Sequence, residues 1–216
     1  MIERLPKSAS YDPDCTRCPR LARFLAEARH EHPDWWCRPV PFFGPANARL
    51  LIVGLAPGFR GANRTSRPFT GDHAGILLYE TLYELGFSNK PVSVAADDGL
   101  RLRDARISNA VKCVPPENKP TPDEIQRCNA YLQTELRELT RVRVIVALGR
   151  IAHDAVLRAL GLKLSAFRFA HGSEHRIDEA RVMLDSYHCS RYNTQTRRLT
   201  AEMFKSVMAR ARSLTL

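Results

Sequence analysis

The feature of this chain that most restricts its fold is the alternation of short apolar runs with longer segments of helical periodicity. Residues 50–53 and 142–148 are predominantly apolar and rich in β-branched side chains, which is typical of strands buried on both faces of a sheet. Residues 105–111 and 181–185 are two further candidate strands. Because helical segments lie between them, the pattern predicts an α/β fold with a mostly parallel sheet of about four strands and helices on both faces.

The helical segments are marked by apolar residues at helical spacing and by recognisable end signals. We predict helices at 20–32, 76–85, 121–140, 150–160 and 200–214. The third of these opens on Thr121-Pro122-Asp123-Glu124, which combines a capping box with a proline in the first turn. With 216 residues and no internal repeat or linker, the chain is predicted to form one domain over residues 1–216 with an amino-terminal appendage.

The charge balance favours a polyanionic partner. Thirty-three Lys plus Arg stand against 23 Asp plus Glu, a formal net charge of +10, and arginine is well suited to phosphate because its planar group donates two hydrogen bonds at once. Charge does not distinguish DNA from RNA. No apolar run approaches the ~20 residues of a membrane span, and residues 1–6 lack the apolar core of a signal peptide. We therefore expect a cytoplasmic protein without membrane contact, and a monomer.

The connection between the first strand and the next helix, residues 54–75, has the composition of a binding loop. It combines glycines with arginines, an asparagine and a single carboxylate, Asp72. A loop at the carboxyl end of a strand occupies the place where open α/β sheets bind their ligands. Asp72 also suits the N-cap of the following helix, so a structural role and a chemical role both remain open for it.

Four of the six cysteines are candidates for a metal site. Cys15 and Cys18 form a C-x2-C pair in a polar, proline-flanked loop, Cys113 follows a predicted strand, and Cys128 lies in the next helix. From spacing alone, a zinc ion, a 4Fe–4S cluster and buried thiols without metal are equally admissible. The remaining two, Cys37 and Cys189, are expected to be free thiols.

Four dispersed segments together resemble the type B (family 5) uracil-DNA glycosylases. They are GLAPG with GANRTSRPFTGDHAG (residues 54–75), SNAVKCVPPENKP (108–120), SYHCSRYNT (186–194) and CTRCP (15–19). They stand in the family's order and span nearly the whole chain. Leu55 stands where the cluster-bearing type A enzymes have a glutamate, which favours type B. The chain departs from the motifs of this family at two positions. Gly58 stands where alanine is usual, and Cys189 stands where proline is common.

This resemblance implies a fold, an activity and a cofactor. The fold would be the three-layer uracil-DNA glycosylase sandwich, with an amino-terminal metal-binding segment. The activity would be a monofunctional DNA glycosylase of base excision repair, which flips out uracil and hydrolyses its glycosidic bond, leaving an abasic site. Type B members also accept other bases, including hypoxanthine and ethenocytosine. The matching cysteines, Cys15, Cys18, Cys113 and Cys128, would hold a 4Fe–4S cluster.

The resemblance also assigns roles at the site. Phe69 would stack on the flipped base, Asn109 would bind its Watson–Crick edge, and Ala56 and Gly58 would complete the base pocket. His188 would donate a hydrogen bond to O2 of the departing uracil anion. Asp72 would orient water or stabilise the sugar cation. Taken singly, each of these residues also has an ordinary structural explanation.

The basic residues around the site are expected to bind the phosphates of DNA. The candidates for phosphate contact and for the wedge that fills the gap left by the flipped base are Arg60, Arg64, Arg67, Ser190, Arg191, Tyr192, Arg197 and Arg198. Two other functions are considered: a cluster-bearing protein that binds damaged or single-stranded DNA without cutting it, and a nucleotide-binding enzyme. The second is disfavoured because the glycine-rich loop has neither a Gly-Lys-Ser/Thr ending nor GxGxxG spacing.

Overall fold

A computed structural model describes residues 7–216. The expectation drawn from residues 1–6, that no signal peptide is present, lies outside the described residues. The secondary structure elements, in chain order, are α1 (Pro19–Glu31), β1 (Leu50–Gly54), α2 (Ala62–Thr65), α3 (His73–Glu84), β2 (Ala105–Asn109), α4 (Pro122–Glu138), β3 (Val144–Leu148), α5 (Arg150–Ala159), β4 (Glu174–Arg176), β5 (Val182–Ser186), α6 (Arg191–Gln195) and α7 (Ala201–Leu214).

The sheet has the order β2-β1-β3-β5-β4, and its first four strands are parallel. This confirms the mostly parallel α/β fold. The sheet contains a fifth strand, β4, which pairs antiparallel with β5 at the edge. Sequence analysis missed it because its three residues are Glu, His and Arg, two of them exposed, and so carry no apolar signal.

The strand register brings four strand ends to one rim. Gly54 at the end of β1 pairs with Asn109 at the end of β2, and Leu148 at the end of β3 pairs with Ser186 at the end of β5. The loops that follow these strands therefore open at the same edge of the sheet. This is the edge where parallel α/β sheets bind ligands.

Helices cover both faces of the sheet. On one face, Leu50 and Ile52 of β1 pack with α3 and α7 in a single apolar cluster. On the other face, Leu51 and Val53 pack with α4 and α5. Alternate residues of a strand point to opposite faces, so a strand that is apolar at every position, as β1 is, must be buried on both sides.

The predicted helix ends agree with the structure to within about three residues. Thr121 caps α4 through a complete capping box with Glu124, and Thr200 caps α7 by accepting from the N–H of Met203. None of the helices among residues 7–216 is both long and apolar enough to span a bilayer.

A buried charged network fixes β2 to α4. The Glu135 carboxylate, which is fully buried, accepts hydrogen bonds from Arg106 Nε (3.0 Å), Ser108 Oγ (2.6 Å) and Lys112 Nζ (3.2 Å). Burial raises the pKa of Glu135, but Lys112 and Arg106 outweigh that effect and lower it overall. Because removing one partner of a buried ion pair is strongly destabilising, this network holds the chain on either side of Asn109 in place.

Candidate active site

A cavity of about 860 Å³ opens at the carboxyl ends of β1, β2, β3 and β5. Its walls come from the loop after β1, the end of β2, the start of α5 and the loop after β5. Among the residues lining it are Ala56, Gly58, Arg60, Phe69, Asp72, Asn109, His188, Ser190 and Arg191. Nine of the predicted site residues, separated by up to 135 positions in the chain, therefore meet in one cavity.

The floor of the cavity depends on Gly54. A Cβ at Gly54 would lie 2.6 Å from the Phe69 ring and 2.5 Å from Oδ1 of Asn109. Both side chains therefore approach the strand end more closely than any other residue type would allow. Phe69 has a positive φ of 58° and is 7 % exposed. A positive φ is uncommon for a bulky residue and marks a position held by its surroundings.

Asn109 presents an unpaired polar atom to this floor. The residue is 3 % exposed, and its Oδ1 has no hydrogen-bond partner among residues 7–216. A buried acceptor without a partner costs about 1–3 kcal/mol. Such a group is expected where a ligand supplies the missing donor.

Asp72 occupies the N-cap position of α3, but its side chain makes no capping hydrogen bond. The carboxylate turns instead towards Gly58 and Gly61, whose Cβ atoms, if present, would lie 2.8 and 2.1 Å from its Oδ2. Burial raises the pKa of Asp72 from 3.8 to about 6, and the backbone N–H of Ala62 acts in the opposite direction. A carboxyl group with a pKa near neutrality suits acid–base work better than simple helix capping.

His188 lines the same cavity as Asp72 and stacks on Phe69, with ring centroids 5.8 Å apart. Burial lowers the pKa of His188 to about 4. The imidazole is therefore neutral at physiological pH. In that form it can donate one hydrogen bond but carries no charge.

The loop after β5 is anchored on both sides. Asn193 donates a side-chain hydrogen bond to the His188 carbonyl (2.8 Å), and the Cys189 thiol donates to the carbonyl of Ala74 (3.3 Å). His73, the first residue of α3, forms a further hydrogen bond of 3.1 Å with Thr194 of α6. The position of His188 is thus tied to α3 and α6 as well as to its own strand.

The predicted DNA-contacting residues divide into two groups. Arg60, Arg64, Arg191, Arg197 and Arg198 are exposed, as is Tyr192 at 70 %, and Ser190 caps α6. Arg67, in contrast, is 4 % exposed and lies inside the protein. It pairs with Asp98 (2.8 Å) and its guanidinium lies over the Phe43 ring, so it does not reach the DNA-facing surface.

The four cysteines proposed as ligands meet at a second, smaller cavity. Cys15, Cys18, Cys113 and Cys128 line it together with apolar side chains that include Leu21 and Val111. Burial raises the pKa of Cys18 to about 11 and that of Cys113 well above its usual value. Thiols in such surroundings ionise only when a metal supplies positive charge. Four cysteine sulfurs are the donor set of a structural zinc ion and of a 4Fe–4S cluster alike.

Comparison with known proteins identifies the family. The profile of the Uracil DNA glycosylase superfamily matches residues 41–212. The chain is 49 % identical to the Type-5 uracil-DNA glycosylase of Thermus thermophilus over 205 aligned residues, and this alignment covers 93 % of each of the two chains. The chain belongs to the uracil-DNA glycosylase superfamily, in its type-5 group.

Two further relatives place the chain within this superfamily. A Type-5 uracil-DNA glycosylase of Pyrobaculum aerophilum is 46 % identical, over 92 % of this chain and 88 % of the relative. A Type-4 uracil-DNA glycosylase of Archaeoglobus fulgidus is 36 % identical over 64 % of this chain and 62 % of its own length. The predicted membership of type B, and the prediction that the chain is an enzyme of this family, are confirmed.

Sequence analysis missed several residues of the site. Gly54, His73, Asn193 and Arg150 line the cavity or support its walls. Gly54, His73 and Asn193 lie within the motifs, but a motif does not show their contacts, which are those of Gly54 with Phe69 and Asn109, of His73 with Thr194 and of Asn193 with the His188 carbonyl. Arg150 is the first residue of α5 and follows Gly149, the N-cap. Because this pair comes directly after the third predicted strand, its place at the carboxyl end of the sheet could have been predicted from the sequence.

Proposed function

We propose that this protein excises uracil, and also other deaminated or damaged bases such as hypoxanthine and ethenocytosine, from DNA and leaves an abasic site. The observation that carries the proposal is the unpaired Oδ1 of Asn109, buried between Phe69 and the strand end. A single acceptor at a closed aromatic floor suits the edge and the face of a flipped base.

Base recognition is the first step. The Asn109 carboxamide offers one acceptor and one donor group, which complement N3–H and O4 of uracil. The Phe69 ring supplies a stacking surface, and Ala56 and Gly58 line the same cavity with little bulk. The cavity of about 860 Å³ includes the mouth lined by Arg60 and Arg191, where the sugar and the phosphates would lie, so the acceptance of larger bases rests on the resemblance to the type B enzymes.

His188 stabilises the leaving group. As the glycosidic bond breaks, negative charge gathers on O2 of the uracil, and a hydrogen-bond donor placed there lowers the barrier. A neutral imidazole with a pKa of about 4 keeps its N–H throughout the physiological pH range. It therefore acts as a fixed donor and does not have to give up a proton.

Asp72 serves the sugar side of the reaction. Loss of the base leaves positive charge on the sugar ring, which a nearby carboxylate stabilises, and the same carboxylate orients the water that attacks the anomeric carbon. With a pKa of about 6, Asp72 is ionised at neutral pH. No lysine is among the residues lining the cavity, so we expect water and not a Schiff base to complete the reaction.

The exposed arginines hold the DNA over the cavity. Arg60 and Arg191 lie on the cavity lining, and Arg64 and Arg197 flank it on the two site loops, so all four are proposed to contact phosphates. Ser190, Arg191 and the exposed Tyr192 are proposed as the wedge that replaces the flipped nucleotide.

The four-cysteine cavity is proposed to hold a 4Fe–4S cluster, with Cys15, Cys18, Cys113 and Cys128 as ligands. The cluster would cross-link the segment before α1 to the loop after β2 and to α4. Because this loop follows Asn109 directly, the cluster is proposed to support the site as a structural element. We further propose that residues 1–216 act as one domain and as a monomer.

Identification of the released product tests the proposal. Cluster-loaded protein is incubated with duplexes that each carry one uracil, hypoxanthine or ethenocytosine, and the free base is identified by mass spectrometry before any alkali is added. We expect free base with an intact strand. Strand cleavage without alkali would contradict the monofunctional assignment.

Two variants separate catalysis from binding. Asn109→Ala should lose base release while retaining affinity for undamaged duplex, because phosphate contacts carry that affinity. Asp97→Asn, an exposed carboxylate outside the cavity, is the control and should behave as the wild type. Binding of damaged DNA without release of any base would instead support the non-catalytic DNA-binding function.

A further inference from the structure

A chain of three buried or half-buried side chains joins the start of α5 to the end of β5. The Asp185 side chain is fully buried. Its Oδ1 is hydrogen-bonded to His153 Nδ1 (2.8 Å), and its Oδ2 is hydrogen-bonded to His175 Nε2 (3.0 Å). His153, also fully buried, places its other nitrogen, Nε2, 3.0 Å from the carbonyl oxygen of Phe167. None of these three side chains lines the active-site cavity.

Hydrogen-bond counting assigns the protons in this chain. The Phe167 carbonyl can only accept, so His153 Nε2 carries a proton. Nδ1 faces a carboxylate oxygen at 2.8 Å, so a second proton lies between those two atoms. Histidine has the higher intrinsic pKa of the pair, and the N–H of His175 further stabilises the carboxylate form. The second proton therefore belongs to His153, which is an imidazolium paired with the Asp185 carboxylate.

The charged surroundings of His153 agree with this assignment. The groups that face it are Asp185 on β5, His175 on β4 and Asp154 on its own helix, together with the Phe167 carbonyl and the edge of the Phe169 ring. Burial lowers the pKa of His153, but its bond to Asp185, the charge of Asp185 and the Phe167 carbonyl raise the pKa overall. The stability from this pair is complete below the unfolded pKa and is lost only as the pH rises through the raised folded pKa.

Two histidines and an aspartate could also hold a metal ion, but the distances favour protons. Ligand atoms around a tetrahedral zinc ion with bonds of about 2.0–2.1 Å lie roughly 3.3 Å apart. The N···O distances here, 2.8 and 3.0 Å, are those of charge-assisted hydrogen bonds.

The ion pair lies directly behind the catalytic rim. Asp185 is three residues before His188, and Gly149, the N-cap of α5, donates its N–H to the Ser186 carbonyl at 2.8 Å. A Cβ at Gly149 would be 3.7 Å from the Cβ of His188. Any shift between α5 and β5 therefore moves His188 relative to the cavity floor.

We propose that His153 is a positioning residue: as a buried imidazolium paired with Asp185, it locks the start of α5 to the end of β5 and so places His188 for the departing base. Its protonation stands on the hydrogen-bond geometry alone. The effect on excision rests on the function proposed above.

NMR of histidine-labelled, cluster-loaded protein tests the protonation directly. Long-range ¹H–¹⁵N spectra distinguish imidazolium from the two neutral tautomers, and the His153→Gln spectrum assigns the signal. At about pH 7, above the ordinary histidine pKa of about 6.5, we expect both nitrogens of His153 to be protonated. A neutral His153 at this pH, or one zinc ion per chain in protein whose cysteine site already holds its full complement of iron, overturns the proposal.

Kinetics test the positioning role with a matched pair of variants. Glutamine reproduces the single Nε2 donor that His175 uses but cannot make both bonds of His153. His153→Gln should lower the single-turnover excision rate on the order of tenfold to a hundredfold, the scale expected for misplacing a catalytic group, with DNA affinity unchanged. His175→Gln should stay within about twofold of wild type.

The alternative outcomes are distinct. Asp185→Asn should convert His153 to a neutral tautomer and reproduce the rate loss, which provides a second variant if His153→Gln does not fold. Wild-type excision rates in both His153→Gln and Asp185→Asn refute the positioning role. Wild-type protein that releases no base from any duplex refutes the proposed function and the positioning role together, whereas NMR decides the protonation of His153 independently.

Discussion

Replacing the catalytic carboxylate Asp72 by asparagine should make this protein inactive and more stable at the same time. The reason lies in the environment of the side chain. Asp72 makes no capping bond to α3 and is held against Gly58 and Gly61 in a partly dehydrated position. Ionisation there costs free energy that folding must supply, and a neutral amide of the same shape avoids that cost.

The magnitude follows from the pKa. Burial raises the pKa of Asp72 from 3.8 to about 6, and each unit corresponds to 1.36 kcal/mol, so the ionised form destabilises the fold by about 2–3 kcal/mol. For a chain of this length, that gain in the Asp72→Asn variant corresponds to a rise in Tm of roughly 5–10 °C.

The dependence on pH gives the prediction its sign. The folded pKa lies above the unfolded one, so the native state binds more protons between about pH 4 and 6, and wild-type stability falls as the pH rises through that window. The Asp72→Asn variant has no carboxyl group at this position, so this fall in stability with rising pH is absent from it. The difference in stability between the two proteins should be smallest near pH 4 and reach its full value above pH 6.

Thermal unfolding monitored by circular dichroism across this pH range provides the assay, with equal cluster content verified by iron analysis. Asp97→Asn, which removes an exposed carboxylate, is the control and should leave Tm nearly unchanged. An Asp72→Asn variant that is no more stable than wild type above pH 6, or whose gain is independent of pH, would refute the reasoning.

Three further predictions follow from the site geometry. The single-turnover excision rate should fall about tenfold per pH unit as the pH drops below about 6, because Asp72 must be ionised. His188 has a pKa of about 4 and stays neutral over this range. A flat rate between pH 5 and 7 would argue against a catalytic role for the Asp72 carboxylate. Gly61→Ala should slow excision, since the added Cβ would lie 2.1 Å from Oδ2 and 2.8 Å from Cβ of Asp72. Gly58→Ala is the matched control and should retain most of the rate, because its Cβ would approach only the carboxylate end of Asp72 (2.8 Å) and alanine is usual at this position in the family. Single-turnover rates would measure this, and equal rates in the two variants would contradict it. Replacing Arg60, Arg64 and Arg191 by glutamine should reduce the slope of log affinity against log salt by about 0.9 per residue. Arg67→Gln should leave that slope unchanged and lower the free energy of unfolding by about 1–3 kcal/mol, because the bonds of Arg67 to Ser93 and Asp98 are lost while Asp98 keeps its backbone N–H donors. Binding titrations at several salt concentrations and urea unfolding distinguish the two.

The sequence predicted the fold because its signals are local. The β-branched runs that became β1 and β3 indicate buried strands without any knowledge of their neighbours, and the capping box of Thr121 and Glu124 marks the start of α4. The short edge strand β4 has no such signal, since two of its three side chains are exposed and all are polar. Its pairing with β5 depends on the sheet being already formed.

The site was only partly predictable because its chemistry depends on distant contacts. The motifs identified Asp72, Asn109 and His188, but the dehydration of Asp72 and the unpaired Oδ1 of Asn109 arise from tertiary packing. Arg67 shows the opposite case. Its motif suggested a phosphate contact, yet its partner Asp98 lies thirty-one residues away and removes it from the surface.

The measurement that tests the central claim most directly is excision from a labelled duplex containing a single uracil, revealed by heating in alkali. Wild type, Asp72→Asn and the surface control Asp97→Asn are compared under single-turnover conditions at neutral pH. We predict alkali-dependent cleavage at the uracil by wild type and Asp97→Asn, and loss of it in Asp72→Asn with DNA binding retained. Cleavage by Asp72→Asn at the wild-type rate would contradict the account and leave Asp72 without a role in catalysis.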